Sequence, residues 1–309
     1  MKSIPIFTSR YRMVLRSMGN GTVIKAVSSF YTVITDDHQE IVCRARGKLK
    51  REDNSPVPGD RVVLSEAENG AMVLESVLPR KNYFIRPNAA NLDAIVFIAS
   101  EAKPVTDPYL IDKLSVITEH AGCELILCVN KTDLSDSDSL SRIYAKTPFP
   151  VICTSAVTGE GLERLRRAIS GKICAFTGNS GVGKSSLLNL LHPELNLKTD
   201  EISEKLGRGK HTTRYTEFLS LPNNTFAADT PGFAAFDPSM TAQISKEDLS
   251  DYFPDFNHVT GNCRFLDCTH RKEPGCSVRA AKDNGVIAES RYASYLRLYD
   301  ELAAAENRW

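Results

Sequence analysis

The sequence predicts a multi-domain chain of three parts. These are an N-terminal OB-fold β-barrel, a central α/β domain with a phosphate-binding loop, and a C-terminal segment built round a Cys/His cluster and closed by a helix. Three observations carry this reading. Five short strand-like runs recur between about residues 20 and 80. From Leu92 the pattern changes to continuous apolar runs alternating with helical spacing. After Pro238 the chain turns polar, and three of its eight cysteines gather with a histidine. A length of 309 residues exceeds what one core usually supports. Charged residues at 25% and hydrophobic ones at 42% exclude disorder of the whole chain. The expected boundaries are 1–17 for an N-terminal arm, 18–82 for the barrel, 83–238 for the α/β domain and 239–309 for the metal-binding part with its C-terminal helix.

The arm carries Lys2, Arg10, Arg12 and Arg16, and no acidic residue precedes Asp36. It reads as a flexible arm for a polyanion, an organellar transit segment, or sequence upstream of a start at Met18. No apolar run approaches the ~18 residues of a membrane span. Cys43, Cys123, Cys128, Cys153 and Cys174 are dispersed in apolar runs and read as core. A reducing, cytoplasmic setting is the default.

The barrel strands are expected at 22–27, 31–34, 41–46, 61–64 and 72–77, separated by turn-rich pieces such as 54–60. In the third, Ile41, Cys43 and Ala45 share one parity. Arg44, Arg46, Lys48 and Lys50 share the other, and Arg51 follows. Five bases in eight residues with no acid suggest RNA phosphate contact.

In the central part, buried strands are expected at 92–99, 123–129, 150–154, 173–177 and 225–228. Helices are expected at 107–120, 161–169 and 184–191, and a final helix at 288–305. Gly178-Asn179-Ser180-Gly181-Val182-Gly183-Lys184-Ser185 matches GxxxxGKS between a strand and a helix, with Ser186 next along that helix. Its backbone N–H groups and the helix N-terminus suit phosphate. Lys184 should reach the β- and γ-phosphates, and the Ser185 hydroxyl should ligate Mg²⁺. Asp229 ends the next strand as a further Mg²⁺ partner, and the Gly232 N–H can sense the γ-phosphate. The glycine-rich basic stretch 207–213 lies between, where either Thr212 or Thr213 can supply a second hydroxyl to Mg²⁺.

Asn130-Lys131-Thr132-Asp133 ends another apolar run. Asp133 can accept from both guanine donors, whereas adenine would leave it desolvated and unpaired. Asn130 would brace the loop and touch the guanine edge, and Lys131 would lie over the base. Backbone N–H groups at Thr154-Ser155-Ala156 can bind guanine O6. The base motifs precede the phosphate loop, the reverse of the usual GTPase order. The sheet can still be the same if the chain is circularly permuted. Phe233 stands where many GTPases place a water-orienting glutamine, so unaided hydrolysis should be slow, and His211 is the best nearby substitute.

Cys263, Cys268, His270 and Cys276 offer three thiolates and one imidazole, a closed set for one structural Zn²⁺. The metal is expected to hold together a region with too few apolar residues for a core of its own.

A permuted GTPase order between a small β-barrel and a Cys/His cluster resembles the RsgA family of small ribosomal subunit biogenesis GTPases. The stretches 80–93, 207–213 and 263–276 support the resemblance. It implies an OB-like domain, a permuted GTPase domain and a zinc domain acting on late 30S particles and 16S rRNA. It further implies GTP hydrolysis stimulated by the subunit, with His211 catalytic, in a cytoplasmic protein expected to be monomeric. The competing readings are a GTP-driven zinc metallochaperone and an RNA-binding module whose nucleotide is structural.

The 38 basic and 38 acidic residues cancel, but not locally. Residues 1–80 hold 12 basic and 9 acidic side chains, a net of +3, and the remainder is −3. That favours binding through a local patch over broad adhesion to polyanions.

Overall fold

A computed structural model describes residues 17–47, 49, 55–67, 69–135, 137–192, 216–229 and 243–306. The first five strands are β1 (Ser17–Val27), β2 (Phe30–Thr35), β3 (Glu40–Ala45), β4 (Arg61–Glu66) and β5 (Met72–Val77). They close into a barrel in the order β1-β2-β3-β5-β4. The β3–β5 pair is parallel and the others are antiparallel. At eleven residues β1 is long enough to pair with both β2 and β4, which closes the ring. Alternation sends Val23, Tyr31, Val33, Cys43, Ala45, Val62, Leu64 and Leu74 inward.

The basic stripe differs from its expectation. β3 ends at Ala45, so the alternation stops there. Arg44 faces out, with its guanidinium 4.6 Å from the Phe30 ring centre. Arg46 instead pairs with Glu75 at 2.6 Å. Lys48, Lys50 and Arg51 lie outside the described residues.

A short hairpin, β6 (Tyr83–Phe84) and β7 (Ala89–Ala90), follows the barrel. The barrel is pinned to it: the Ala90 N–H donates to the Pro58 carbonyl at 2.9 Å. Arg80 pairs with fully buried Asp60 at 2.7 Å.

The central sheet holds β8 (Ala94–Ser100), β9 (Glu124–Asn130), β10 (Val151–Cys153), β11 (Ile173–Gly178), β12 (Phe218–Leu221) and β13 (Thr225–Asp229). Its order is β10-β9-β8-β11-β13-β12, parallel except for β12. Both faces are covered, which is why its strands read as unbroken apolar runs. Ile95, Phe97 and Ala99 face the cluster containing Ile111, Leu114 and Ile117 of helix α1 (Pro108–His120). Ala94, Val96 and Ile98 face Leu165 of α3 (Leu162–Ile169) and Leu187, Leu188 and Leu191 of α4 (Lys184–Leu191). A short α2 (Ser139–Tyr144) precedes β10. Cys43, Cys123, Cys128 and Cys174 are buried as expected; Cys153 is only partly so, with its sulfur 3.2 Å from the Ser141 hydroxyl.

The C-terminal part contains α5 (Ser277–Asp283) and α6 (Glu289–Glu306). It does have a core, contrary to the sequence expectation. Phe253, Phe256, Tyr292, Tyr295, Leu298 and Leu302 cluster with Tyr109 and Val116 of α1. The missing apolar area comes from aromatic rings and from a helix of the central domain. Fully buried Arg291 of α6 crosses this seam, donating to Asp112 of α1 at 2.9 Å and pairing with Asp255. No helix among the described residues is long and apolar enough to cross a membrane.

Candidate nucleotide and metal sites

The phosphate and base motifs converge at the carboxyl ends of the parallel strands, the usual binding edge of an open α/β sheet. The phosphate loop runs from β11 into α4. Gly183 has φ +92°, and a Cβ there would lie 2.3 Å from Asn130 Nδ2. That amide must be close, because it donates to the Val182 carbonyl at 2.8 Å. Asn130 is 2% exposed, and its Oδ1 accepts from the Thr154 hydroxyl at 3.1 Å. Its side chain thus ties the end of β9 to the phosphate loop. Val182 is buried, while Ser180 and Gly181 are exposed and Asn179 is half-buried.

Lys184 Nζ donates to Asp229 Oδ1, bringing the two motif ends together. Ser185 and Ser186 stand half-buried at the start of α4. The Ser185 hydroxyl and the Asp229 carboxylate are hard oxygen donors of the kind Mg²⁺ takes. Gly232, His211, Thr212 and Thr213 lie outside the described residues.

At the base site, Lys131 adopts a left-handed conformation (φ 66°), and its ammonium donates to the Lys103 carbonyl at 3.0 Å. Asp133 is exposed on a 3₁₀ turn, Thr132–Leu134, and accepts from the Ser155 hydroxyl at 2.5 Å. The same Ser155 oxygen accepts from the N–H groups of Val157 and Thr158, which fixes its position. The Thr154 and Ser155 N–H groups are taken by the carbonyls of Val129 and Glu160, at 2.8 and 3.1 Å. Ala156 is then the candidate donor to a guanine O6, and Ser155 orients Asp133.

The second cluster is separate. One donor atom each from Cys263, Cys268, His270 and Cys276 lies within 4.8 Å of the others. His270 is 4% exposed, and burial holds its imidazole below the usual histidine range, so it is neutral as a ligand must be. Cys276 also caps α5, accepting from the Arg279 N–H. From α6, Tyr292 donates to the His270 carbonyl at 2.8 Å and Tyr295 to the Thr269 carbonyl at 2.7 Å. Three sulfurs and one nitrogen at this spacing suit a tetrahedral Zn²⁺ with no open position.

Residues 20–73 match the model of the RsgA N-terminal domain, and residues 77–239 match that of the RsgA GTPase. The chain belongs to the RsgA GTPase family. A small ribosomal subunit biogenesis GTPase RsgA from Caldanaerobacter subterraneus subsp. tengcongensis is 41% identical, with 93% of this chain and 97% of that one covered. An RsgA from Thermotoga neapolitana is 40% identical, with coverage of 94% and 98%. The crystal structure of YjeQ from Thermotoga maritima superposes with a TM-score of 0.78 at 36% identity, covering 92% of this chain and 98% of that one. YloQ, described as a circularly permuted GTPase, gives 0.78 at 28% identity and coverage of 96% and 98%.

The chain is therefore a circularly permuted GTPase, and membership in the RsgA family carries GTP with Mg²⁺. One part of this RsgA site escapes sequence reading. The loop after β8 leans on the phosphate loop, with Pro104 Cδ 3.5 Å from where a Gly181 Cβ would sit. It also supplies the carbonyl that Lys131 binds. A backbone carbonyl has no residue signature, so no motif marks this loop.

Proposed function

We propose that the protein is a GTP hydrolase that binds the 30S subunit during late maturation and leaves it after hydrolysis. The observation that carries this is similarity over more than nine-tenths of the chain to relatives named for small ribosomal subunit biogenesis. In this reading guanine is held by Asp133, with Ser155 orienting it, Ala156 donating to O6, and Lys131 over the base. Asn130 braces the loop. The N–H groups of 179–186 and the Lys184 ammonium hold the phosphates, and Gly232 senses the γ-phosphate. Ser185, Asp229 and Thr212 or Thr213 would hold Mg²⁺, which supplies charge neutralisation at the β- and γ-oxygens. His211 orients the attacking water once the subunit is bound, because Phe233 cannot.

Cys263, Cys268, His270 and Cys276 would hold one Zn²⁺, whose role is to fix the 263–276 loop. The barrel contacts 16S rRNA through the segment 44–51. The protein acts as a monomer in the cytoplasm, with residues 1–17 a separate arm and the remaining parts divided near 82 and 238.

The test is GTP turnover with and without purified 30S subunits. Wild-type protein is expected to be stimulated. His211→Ala should bind GTP but lose the stimulation, and Asp133→Asn should shift preference from GTP toward xanthosine triphosphate. Equal turnover with and without subunits would remove the reading.

A further inference from the structure

β12 is the outermost strand of the central sheet, and β1 of the barrel meets the chain where β12 begins. There Lys25 of β1 and Glu217 form an antiparallel backbone bridge, and their side chains pair at 2.8 Å. A bulge makes this contact. The register of β1 on β2 slips between Val23 and Lys25, leaving Ile24 as an extra residue. Val23 joins the barrel core, whereas Ile24, 8% exposed, joins the central-domain cluster that holds Phe218 and Phe226. One strand is thereby anchored on both sides.

The anchor is stiff. The Val23 N–H donates to the Asp60 carbonyl at 2.9 Å, and the Val23 carbonyl accepts from the Gly59 N–H at 2.7 Å. Gly59 lies so close to Ala90 that a Cβ on it would sit 1.9 Å from the Ala90 carbonyl oxygen. Asp60 is clamped by Arg80. Glu217 in turn follows Thr213 by four residues and His211 by six. Four residues span at most about 14 Å. For His211, six residues away, the limit is about 21 Å.

We infer that the β1 bulge anchors the end of the His211 stretch, with Lys25 and Glu217 as a positioning pair that couples the barrel to GTP hydrolysis. This rests on subunit-stimulated hydrolysis as proposed above. The pair is half-exposed, so it contributes little to global stability. Its leverage is positional, because small displacements of reacting groups cost far more in rate than in folding.

The test is a charge swap. Lys25→Glu is expected to lower subunit-stimulated kcat about tenfold. The KM for GTP, unstimulated turnover and subunit binding should stay unchanged. Adding Glu217→Lys should restore kcat, and Lys25→Gln should give a smaller loss in the same direction. Full stimulation of the single variants, or a loss that the swap does not recover, overturns the inference.

Amide exchange across 211–218 with a non-hydrolysable GTP analogue reads the anchor without the subunit. It should be faster in Lys25→Glu and restored in the swap, and unchanged exchange overturns the inference. Wild-type turnover that ignores the subunit would remove the functional reading alone, and this exchange would still decide the anchor.

Discussion

Gly183 shows how one residue can carry two constraints. Its backbone is left-handed, and the Asn130 amide occupies the space a side chain would need. Gly183→Ala therefore combines backbone strain with displacement of the Asn130–Val182 hydrogen bond. The expected loss is about 1–3 kcal/mol in urea unfolding, together with weaker GDP and GTP binding. Gly122 is the control: its φ is +63° but nothing lies within 4 Å of an added Cβ. Gly122→Ala should show only the backbone cost, about 1–2 kcal/mol, with nucleotide binding unchanged. Equal nucleotide affinity in both variants would show that the Asn130 contact does not matter. The side chains of this site were legible because the chemistry demands them: an ammonium for phosphates, a carboxylate for guanine, a glycine where the backbone must turn. The Ser155 hydroxyl aimed at Asp133 and the Lys103 carbonyl under Lys131 were not, since their roles arise from loop geometry rather than residue type.

At the scale of elements, α1 is the piece on which the C-terminal part rests. Asp112 is fully buried, and burial raises its carboxyl above the usual range even though Arg291 and Tyr144 oppose that rise. Removing Arg291 takes away the main charge that lowers it, so Arg291→Met should raise it further. The folded variant would then keep a proton that the unfolded chain releases above about pH 4. Its stability must fall as pH rises through that interval. The gap to wild type is expected to be narrowest near pH 4 and to widen to about 3–5 kcal/mol at pH 7. Urea midpoints at pH 5 and pH 7 measure it, and a gap that narrows with pH contradicts the account. The Cys/His loop tests the neighbouring element. A strong zinc chelator should speed amide exchange across 263–277 and lower the thermal midpoint. GDP binding should persist, because the nucleotide site lies on other elements. Strand runs such as 31–34 and 173–177 were readable because one covered face in alternation, or two covered faces, leave a plain pattern. β12 was not: it is four residues long at a sheet edge, with Ser220 exposed. The bulge at Ile24 was also hidden, since a bulge breaks the very parity that sequence reading relies on.

For the whole molecule, a net charge of zero bears on how the protein meets a polyanion. Uniform attraction is ruled out, so the rRNA contact proposed above requires a few bases placed where phosphates will be. The run 44–51 was the candidate, and its spacing alone made Arg44 and Arg46 look equivalent. They are not. Arg44 lies on the outer face of β3 over Phe30, and its cross-strand neighbour is that same ring. Arg46 is turned to Glu75, whose other oxygen accepts from Ser65 at 3.2 Å. A cation already paired releases little counterion when RNA arrives, whereas an unpaired one contributes a unit to the salt dependence. Subunit binding measured from about 50 to 200 mM salt should therefore separate the two. Arg44→Ala is expected to reduce the slope of log K against log salt by about one. Arg46→Ala should leave that slope unchanged and instead lower barrel stability by less than about 1 kcal/mol. Equal slopes for the two variants would mean that the Arg46–Glu75 pair opens on the subunit. The stripe would then act as the bare sequence suggests.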